Sequence, residues 1–185
     1  MSTKTHIYLA LMMVLGLCVQ ACQSSDSPTR QQAQKIEFTD TTNCDLVMEN
    51  LRAAGADTIG RTSHQPSSIE GCLSQLDTIF GEGTKIWIRC LPDGGFAEQS
   101  STGIGTYLRR TWGLSSGSEL FTNLYRQGIL HPNDMTQIIL NSYQRQLKHQ
   151  PLELQEQIKD SQDYWRQQGK PVDALLEEIE KENHG

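Results

Sequence analysis

The sequence has few aromatic residues and fewer bases than acids, and the shortage of bases excludes one class of partner. Aromatic residues make up 6% of its 185 residues, and 16 Lys and Arg stand against 22 Asp and Glu, which gives a formal net charge of −6 at pH 7. Because phosphate binding needs clustered Lys and Arg, we expect no nucleic-acid partner. A chain of this length is also too short for most two-domain enzymes.

Residue spacings that mark metal sites and common hydrolases are missing as well. Neither C-x-x-C nor H-x-x-x-H occurs, so a zinc site is not expected. Gly113–Gly117 matches the nucleophile elbow G-x-S-x-G, but that motif needs a preceding strand, and the residues before Gly113 have a helical pattern. The sequence therefore predicts no metal, no cofactor and no catalytic residue of a recognisable type.

The N-terminal residues have the pattern of a bacterial lipoprotein signal. Lys4 precedes an apolar run of 13 residues from Ile7 to Val19, which is shorter than the roughly 20 residues that a bilayer span needs. Residues 19–22 read VQAC and resemble the lipobox, in which the cysteine receives the lipid. We expect residues 1–21 to be a signal peptide and Cys22 to be lipidated; an ordinary secretory signal is the alternative.

The residues from Cys22 onward set the expected location and domain boundaries. By resemblance to lipoprotein sorting in Gram-negative bacteria, Gln23 in place of Asp after the cysteine favours the outer membrane, with the domain facing the periplasm. Residues 22–37 are polar and aperiodic, which predicts a flexible tether. The folded domain is then expected over residues 38–185.

Three cysteines, Cys44, Cys72 and Cys90, lie in this domain. In an oxidising compartment they indicate one disulfide and one free thiol, and the sequence leaves all three pairings open. Cys72 shares a helical face with Ile69 and Leu76, where a buried free thiol would lie. We therefore favour a disulfide between Cys44 and Cys90.

Helical periodicity dominates the domain from residue 100 onward. The clearest helix follows Pro132, where the residues of one helical face recur at the expected spacing: Met135, Ile138, Ile139, Ser142, Tyr143 and Leu147. Residues 85–91, KIWIRCL, alternate instead, which is typical of a strand. The sequence predicts a mainly α fold, a compact multi-helix domain of six or seven helices with at most one short strand or hairpin.

The C-terminal residues are acidic. Nine acids and four bases follow Pro151, and residues 171–183 have the pattern of an amphipathic helix. Such a region is either an acidic contact surface for a basic partner or a solvated helix face. The second interpretation is the commoner one and needs no partner.

Two motifs resemble a known family. Leu108–Leu114 reads LRRTWGL and Gly128–Met135 reads GILHPNDM. With the helix around Cys72, they resemble the family called domain of unknown function 6794. The resemblance covers about residues 67–165. It implies a small helical module and brings no established activity.

Four residues of these motifs are candidates for a functional or structural site: Arg109, Trp112, His131 and Asp134. Trp112 with the following Gly and Leu has the pattern of a Schellman helix end. His131 is expected to be a hydrogen-bonded residue at a helix N-cap, or else half of an acid–base pair with Asp134. An inward-facing Arg109 would pair with an acid such as Asp134.

These observations lead to two functional hypotheses. The first is a lipid-anchored periplasmic helical module that binds a protein, as an envelope accessory or as an inhibitor or immunity-like protein; it rests on architecture alone. The alternative is an uncharacterised enzyme that uses His131, Asp134 and Arg109. The first is preferred because no usable catalytic constellation is recognised. Its partners would be the membrane, through the lipid, and a protein.

Overall fold

The computed structural model of the chain describes residues 44–46, 49, 64–115 and 117–184. The predicted signal peptide, the predicted lipidation site Cys22 and the predicted tether lie outside the described residues. Within them the fold is mainly α, as the periodicity predicts, but it has more helices than the six or seven expected, because residues 82–90 and 95–100 are also helical. Eight helices have complete bounds: α1 (Ile69–Ile79), α2 (Glu82–Cys90), α3 (Gly95–Ser100), α4 (Ile104–Thr111), α5 (Glu119–Arg126), α6 (Pro132–Leu147), α7 (Leu154–Gln167) and α8 (Val172–His184).

The strand predicted over residues 85–91 is wrong, because most of this segment lies in α2. A strand needs a neighbouring strand to pair its backbone groups, and the described residues contain none. In a helix the same residues bury Ile86 and Ile88 and pack Trp87 against the core. Arg89 can then donate a hydrogen bond to the backbone carbonyl of Leu147, at 3.1 Å. Short apolar runs are ambiguous between the two structures, and here the surrounding helices decide.

Helix α6 lies at the centre of the domain and packs against α1, α2, α3, α4, α5 and α7. The face predicted from its periodicity is the buried face. Gln144 is also buried on α6, and its side-chain amide donates to the backbone carbonyls of Ile88, Leu91 and Pro92 at 3.1, 3.1 and 2.9 Å. These carbonyls lie at the end of α2 and in the turn that follows it, so Gln144 links this end of α2 to α6.

The predicted helix end at Trp112 has Schellman geometry. Gly113 has a φ of +66°, and the backbone amide of Leu114 donates to the carbonyl of Arg109 at 3.1 Å. This left-handed backbone conformation favours glycine, which carries no Cβ. Trp112 and Leu114 on either side of the turn are fully buried, so the turn carries two core side chains into the domain.

Cys44 and Cys90 form a disulfide with their Cα atoms 5.5 Å apart, and Cys72 is a buried free thiol, as favoured from the sequence. Burial, together with the negative charge of Glu70, raises the pKa of Cys72 well above its ordinary value. A thiol in this state is a poor nucleophile because the thiolate is the reactive form. Cys72 is therefore a core residue.

Helices α7 and α8 form a C-terminal hairpin (Leu154–His184) in which α7 packs on α6, and α8 packs on α5 and α7. Most of its ion pairs join residues three or four apart on one helix, such as Lys181 with Glu177 and Lys159 with Asp163. None of the described helices is long and apolar enough to cross a membrane.

Candidate functional site

The N-terminal turn of α6 and Trp165 of α7 form a polar and aromatic joint. The backbone amide of Asn133 donates to Nδ1 of His131 at 3.2 Å, which makes His131 the N-cap of α6. The indole Nε1 of Trp165 donates to Oδ2 of Asp134 at 2.5 Å, and the rings of His131 and Trp165 lie with their centroids 5.0 Å apart. The predicted candidates His131 and Asp134 thus meet one side chain of the C-terminal hairpin.

The hydrogen bond at Nδ1 assigns the tautomer of His131. An imidazole nitrogen that accepts a hydrogen bond carries no proton, so the proton of the neutral ring is on Nε2. His131 therefore caps the helix with one nitrogen and keeps an N–H donor at the other. Asp134, in the first helical turn, complements the positive end of the helix dipole.

Arg109 does not join this site. Its guanidinium donates to the backbone carbonyl of Ser101 at 3.2 Å and to Oγ1 of Thr106 at 3.1 Å, so it ties α4 to the residue that follows α3. The pair with an acid such as Asp134, expected only for an inward-facing Arg109, is not formed among the described residues, where Asp134 accepts from Trp165. Among the described residues, the structure brings together two of the three residues of the enzyme hypothesis.

Trp112 is a core residue and is not available to a partner. Its side chain has an exposed fraction of 0%, and its indole Nε1 has no hydrogen-bond partner among the residues that the structure describes. Its backbone carbonyl accepts a hydrogen bond from Oγ of Ser118 at 3.0 Å, and Ser118 also caps α5. Burial of the large apolar ring outweighs the cost of the unpaired indole N–H.

A cavity of about 160 Å³ lies beside this joint. An apolar cavity of about 150 Å³ can hold a molecule the size of benzene, so there is room for one large apolar side chain. We call it the hairpin cavity because most of its lining comes from α7, α8 and the turn between them: Leu130, His131, Trp165, Lys170, Pro171, Val172 and Leu175. Lys170 and Pro171 are exposed, so the cavity opens at the surface.

Two features of the surface accompany the hairpin cavity. Tyr164 has an exposed fraction of 54% and stands edge-on to Trp165, with centroids 5.2 Å apart. Lys170 has no carboxylate partner among the described residues, whereas the other Lys and Arg of the hairpin each pair with an acid. Sequence reasoning missed Tyr164 and Lys170.

A second cluster of polar residues joins α1, α2 and α6. Nζ of Lys85 lies 2.9 Å from Asp77 and 3.2 Å from Glu82, and the hydroxyl of Tyr143 donates to Asp77 at 3.4 Å. Burial lowers the pKa of Lys85, but the hydrogen bonds to the two acids outweigh it and leave the pKa above its ordinary value. Burial and the charge of Asp77 also raise the pKa of Tyr143. Both side chains keep their protons at neutral pH, so the cluster stabilises helix packing.

Metal binding finds no support in the part of the chain that the structure describes, where no three His, Cys, Asp or Glu side chains are grouped as metal ligands. Residues 65–147 match the family described as Domain of unknown function (DUF6794). No curated protein and no solved structure matches the chain.

The family match divides the domain at the end of α6. We refer to residues 65–147 as the matched segment; the motifs suggested a resemblance to about residue 165, but the match ends at Leu147. The C-terminal hairpin lies outside it. The hairpin cavity therefore combines Leu130 and His131 of the matched segment with residues that the family match does not cover.

Proposed function

We propose that the chain is a lipid-anchored protein of the bacterial envelope whose helical domain binds a protein partner. Residues 1–21 would be the signal peptide, and Cys22 would carry the lipid. The domain would face the periplasm from the outer membrane. The lipobox-like residues 19–22 support the anchor. The disulfide between Cys44 and Cys90 supports an oxidising compartment, because such bonds are rare in the cytosol.

The observation that carries the binding proposal is the hairpin cavity with its exposed aromatic neighbour. Interface residues that dominate binding energy are often Trp and Tyr beside an apolar pocket. Here Trp165 lines the cavity and Tyr164 stands exposed beside it. The partner would be a component of the envelope that this protein assists, or a toxin that it inhibits.

The alternative of an enzyme has weaker support. A general base must reach a substrate proton. Here Nδ1 of His131 already accepts the backbone N–H of Asn133, and Asp134 already accepts the indole N–H of Trp165. Arg109 is bound within α4 and to Ser101. These contacts give each of the three side chains a structural role, so none of them needs a catalytic one.

Site-specific crosslinking in cells tests the proposal. A photo-crosslinking amino acid is placed at Tyr164 in the full chain and, as a control, at Ser74, an exposed position on α1. We expect a protein adduct from position 164 that is absent from position 74 and that is lost when Leu175→Arg fills the hairpin cavity. The same adducts from both positions, or an adduct that survives Leu175→Arg, would argue against a binding surface here.

Membrane fractionation tests the anchor separately. Replacing the lipidated thiol by Cys22→Ser should release the protein from membranes, because two or three acyl chains would be lost. A protein that fractionates with membranes unchanged would contradict lipidation at Cys22.

A further inference from the structure

We infer that the hairpin cavity binds the C-terminal residue of the partner protein, with the last apolar side chain in the cavity and the terminal carboxylate at its mouth. This inference rests on the proposed function and names what the surface recognises. It follows from the size of the cavity, its apolar lining and the two donors beside it.

The apolar part of the ligand follows from the lining. Five of the seven lining residues are apolar or aromatic: Leu130, Trp165, Pro171, Val172 and Leu175. The volume of about 160 Å³ suits a single Leu or Phe side chain. A larger apolar segment, such as a helix face, would need a long groove in place of this one cavity.

The charged part follows from the two polar lining residues. Lys170 is the cation of the C-terminal hairpin that has no carboxylate partner among the described residues. His131, the second polar residue, holds its proton on Nε2 because Nδ1 accepts the backbone amide of Asn133. A cation and an N–H donor together suit a carboxylate.

Neighbouring acids do not cancel this attraction. Asp173 pairs with Arg166 at 2.9 Å, so its charge is compensated. Asp134 keeps its charge, but it accepts the indole N–H of Trp165 and lies in the first turn of α6, where the helix dipole offsets part of that charge. The more distant acids of α8 are exposed, and salt screens their field over about 8 Å. A carboxylate next to an apolar side chain occurs at every protein C-terminus that ends in Leu or Phe.

A peptide titration tests the inference on the full chain in nanodiscs. The probe is the hexapeptide Gly-Ser-Gly-Ser-Gly-Leu with a free carboxylate, and its amide is the matched control. Binding is followed by the NMR signal of the Trp165 indole N–H. We expect saturable binding of the acid, with about tenfold weaker binding of the amide because one charge-assisted contact is lost. Equal binding of acid and amide, or no saturable shift up to about 1 mM, would overturn the inference.

Two charge variants assign the contact. Lys170→Gln should weaken binding of the acid about tenfold, whereas Lys181→Gln, which removes the same charge from an exposed site on α8, should leave it unchanged. Equal effects of the two variants would overturn the role of Lys170. Hexanoate is the probe for a free fatty acid, and tighter binding of hexanoate than of the peptide would overturn the assignment to a protein.

The crosslinking experiment separates this inference from the proposed function. If Lys170→Gln still gives the adduct from position 164 and the peptide acid does not bind, the protein-binding function stands and the C-terminal recognition falls. If the peptide acid binds but no adduct forms in cells, the proposed protein-binding function falls.

Discussion

The matched segment and the C-terminal hairpin are stabilised in different ways. The matched segment holds most of the buried apolar side chains, including Trp112 and Tyr143, and surrounds the central helix α6. In the hairpin the buried residues are Ile158, Val172 and Ile179. Its other contacts with the matched segment include polar ones, such as the hydrogen bond from Gln162 to the carbonyl of Gly128 at 3.0 Å.

This difference indicates where the domain opens first. Apolar burial supplies most of the folding free energy, whereas exposed ion pairs of the kind seen in the hairpin are each worth about 0–1 kcal/mol. We therefore expect the hairpin to open locally at a lower free energy than the matched segment. The hairpin cavity lies at this boundary, so a ligand there would also hold the two parts together.

The largest expected effect is the loss of a core side chain from the matched segment. Trp112→Ala should lower the free energy of unfolding by about 3–5 kcal/mol, because it leaves a large cavity in the core. In the hairpin, Ile179→Ala removes a smaller buried side chain and should cost about 2 kcal/mol. Urea unfolding of both variants measures the difference. A cost for Ile179→Ala as large as that for Trp112→Ala would contradict the comparison.

The next effect concerns the contact between the two parts at Gly128. This residue has a φ of +87°, and an added Cβ would lie 2.7 Å from the side-chain amide of Gln162. Gly128→Ala should therefore cost about 1–3 kcal/mol through backbone strain and the displaced contact. Gly117→Ala is the control, because Gly117 has a φ of +69° but no atom near an added Cβ.

Hydrogen exchange of α7 amides distinguishes the two glycine variants. Gly128→Ala should speed exchange in the hairpin more than Gly117→Ala does, since only the first disturbs the contact with Gln162. Equal changes would mean that backbone strain alone explains both variants.

A smaller effect is expected at the cap of α6. His131→Ala removes the acceptor for the amide of Asn133 and should cost about 0.5–2 kcal/mol. His131→Asn should restore most of the loss, because Asn is among the best N-cap residues. Thermal unfolding measures both. A stable His131→Ala variant would show that the cap contributes little to holding α6.

The smallest effect is the pH dependence of the ion pair between Asp93 of the matched segment and Lys148, the residue that follows this segment. The hydrogen bond and charge of Lys148, at 2.7 Å, lower the pKa of Asp93. The stability from this pair is present above the unfolded pKa of Asp, about 3.9, and is lost as the pH falls through the lower folded pKa. Asp93→Asn should therefore reduce the loss of unfolding free energy below pH 4 by a few tenths of a kcal/mol. Asp160→Asn, an exposed control on α7, should leave this loss unchanged.

Local patterns in the sequence predicted what depends on neighbouring residues along the chain. The face of α6 follows from helical spacing, and the turn at Gly113 follows from the residues on either side of it. The disulfide could be favoured because Cys72 belongs to an apolar helical face. In each case the deciding information lies within about one or two helical turns.

The rest of the site depends on contacts between distant residues. Asp134 meets Trp165 across 31 positions of the chain, and neither motif indicates that pair. Lys170 differs from the other Lys and Arg of the hairpin because they pair with acids and it does not, among the described residues. Such a difference depends on the three-dimensional structure and has no signal in the sequence. The strand predicted at residues 85–91 failed for the same reason, since Gln144 and Leu147 of α6 supply the contacts that favour a helix there.

The disulfide between Cys44 and Cys90 determines the path of mechanical force through this protein. Tension that enters from the N-terminal side reaches Cys44 and passes through the covalent bond directly to Cys90 at the end of α2. The chain between these two residues, which includes all of α1, is bypassed and bears no load. In a domain pulled from its N-terminal side, α1 would thus not be stretched out while the disulfide is intact.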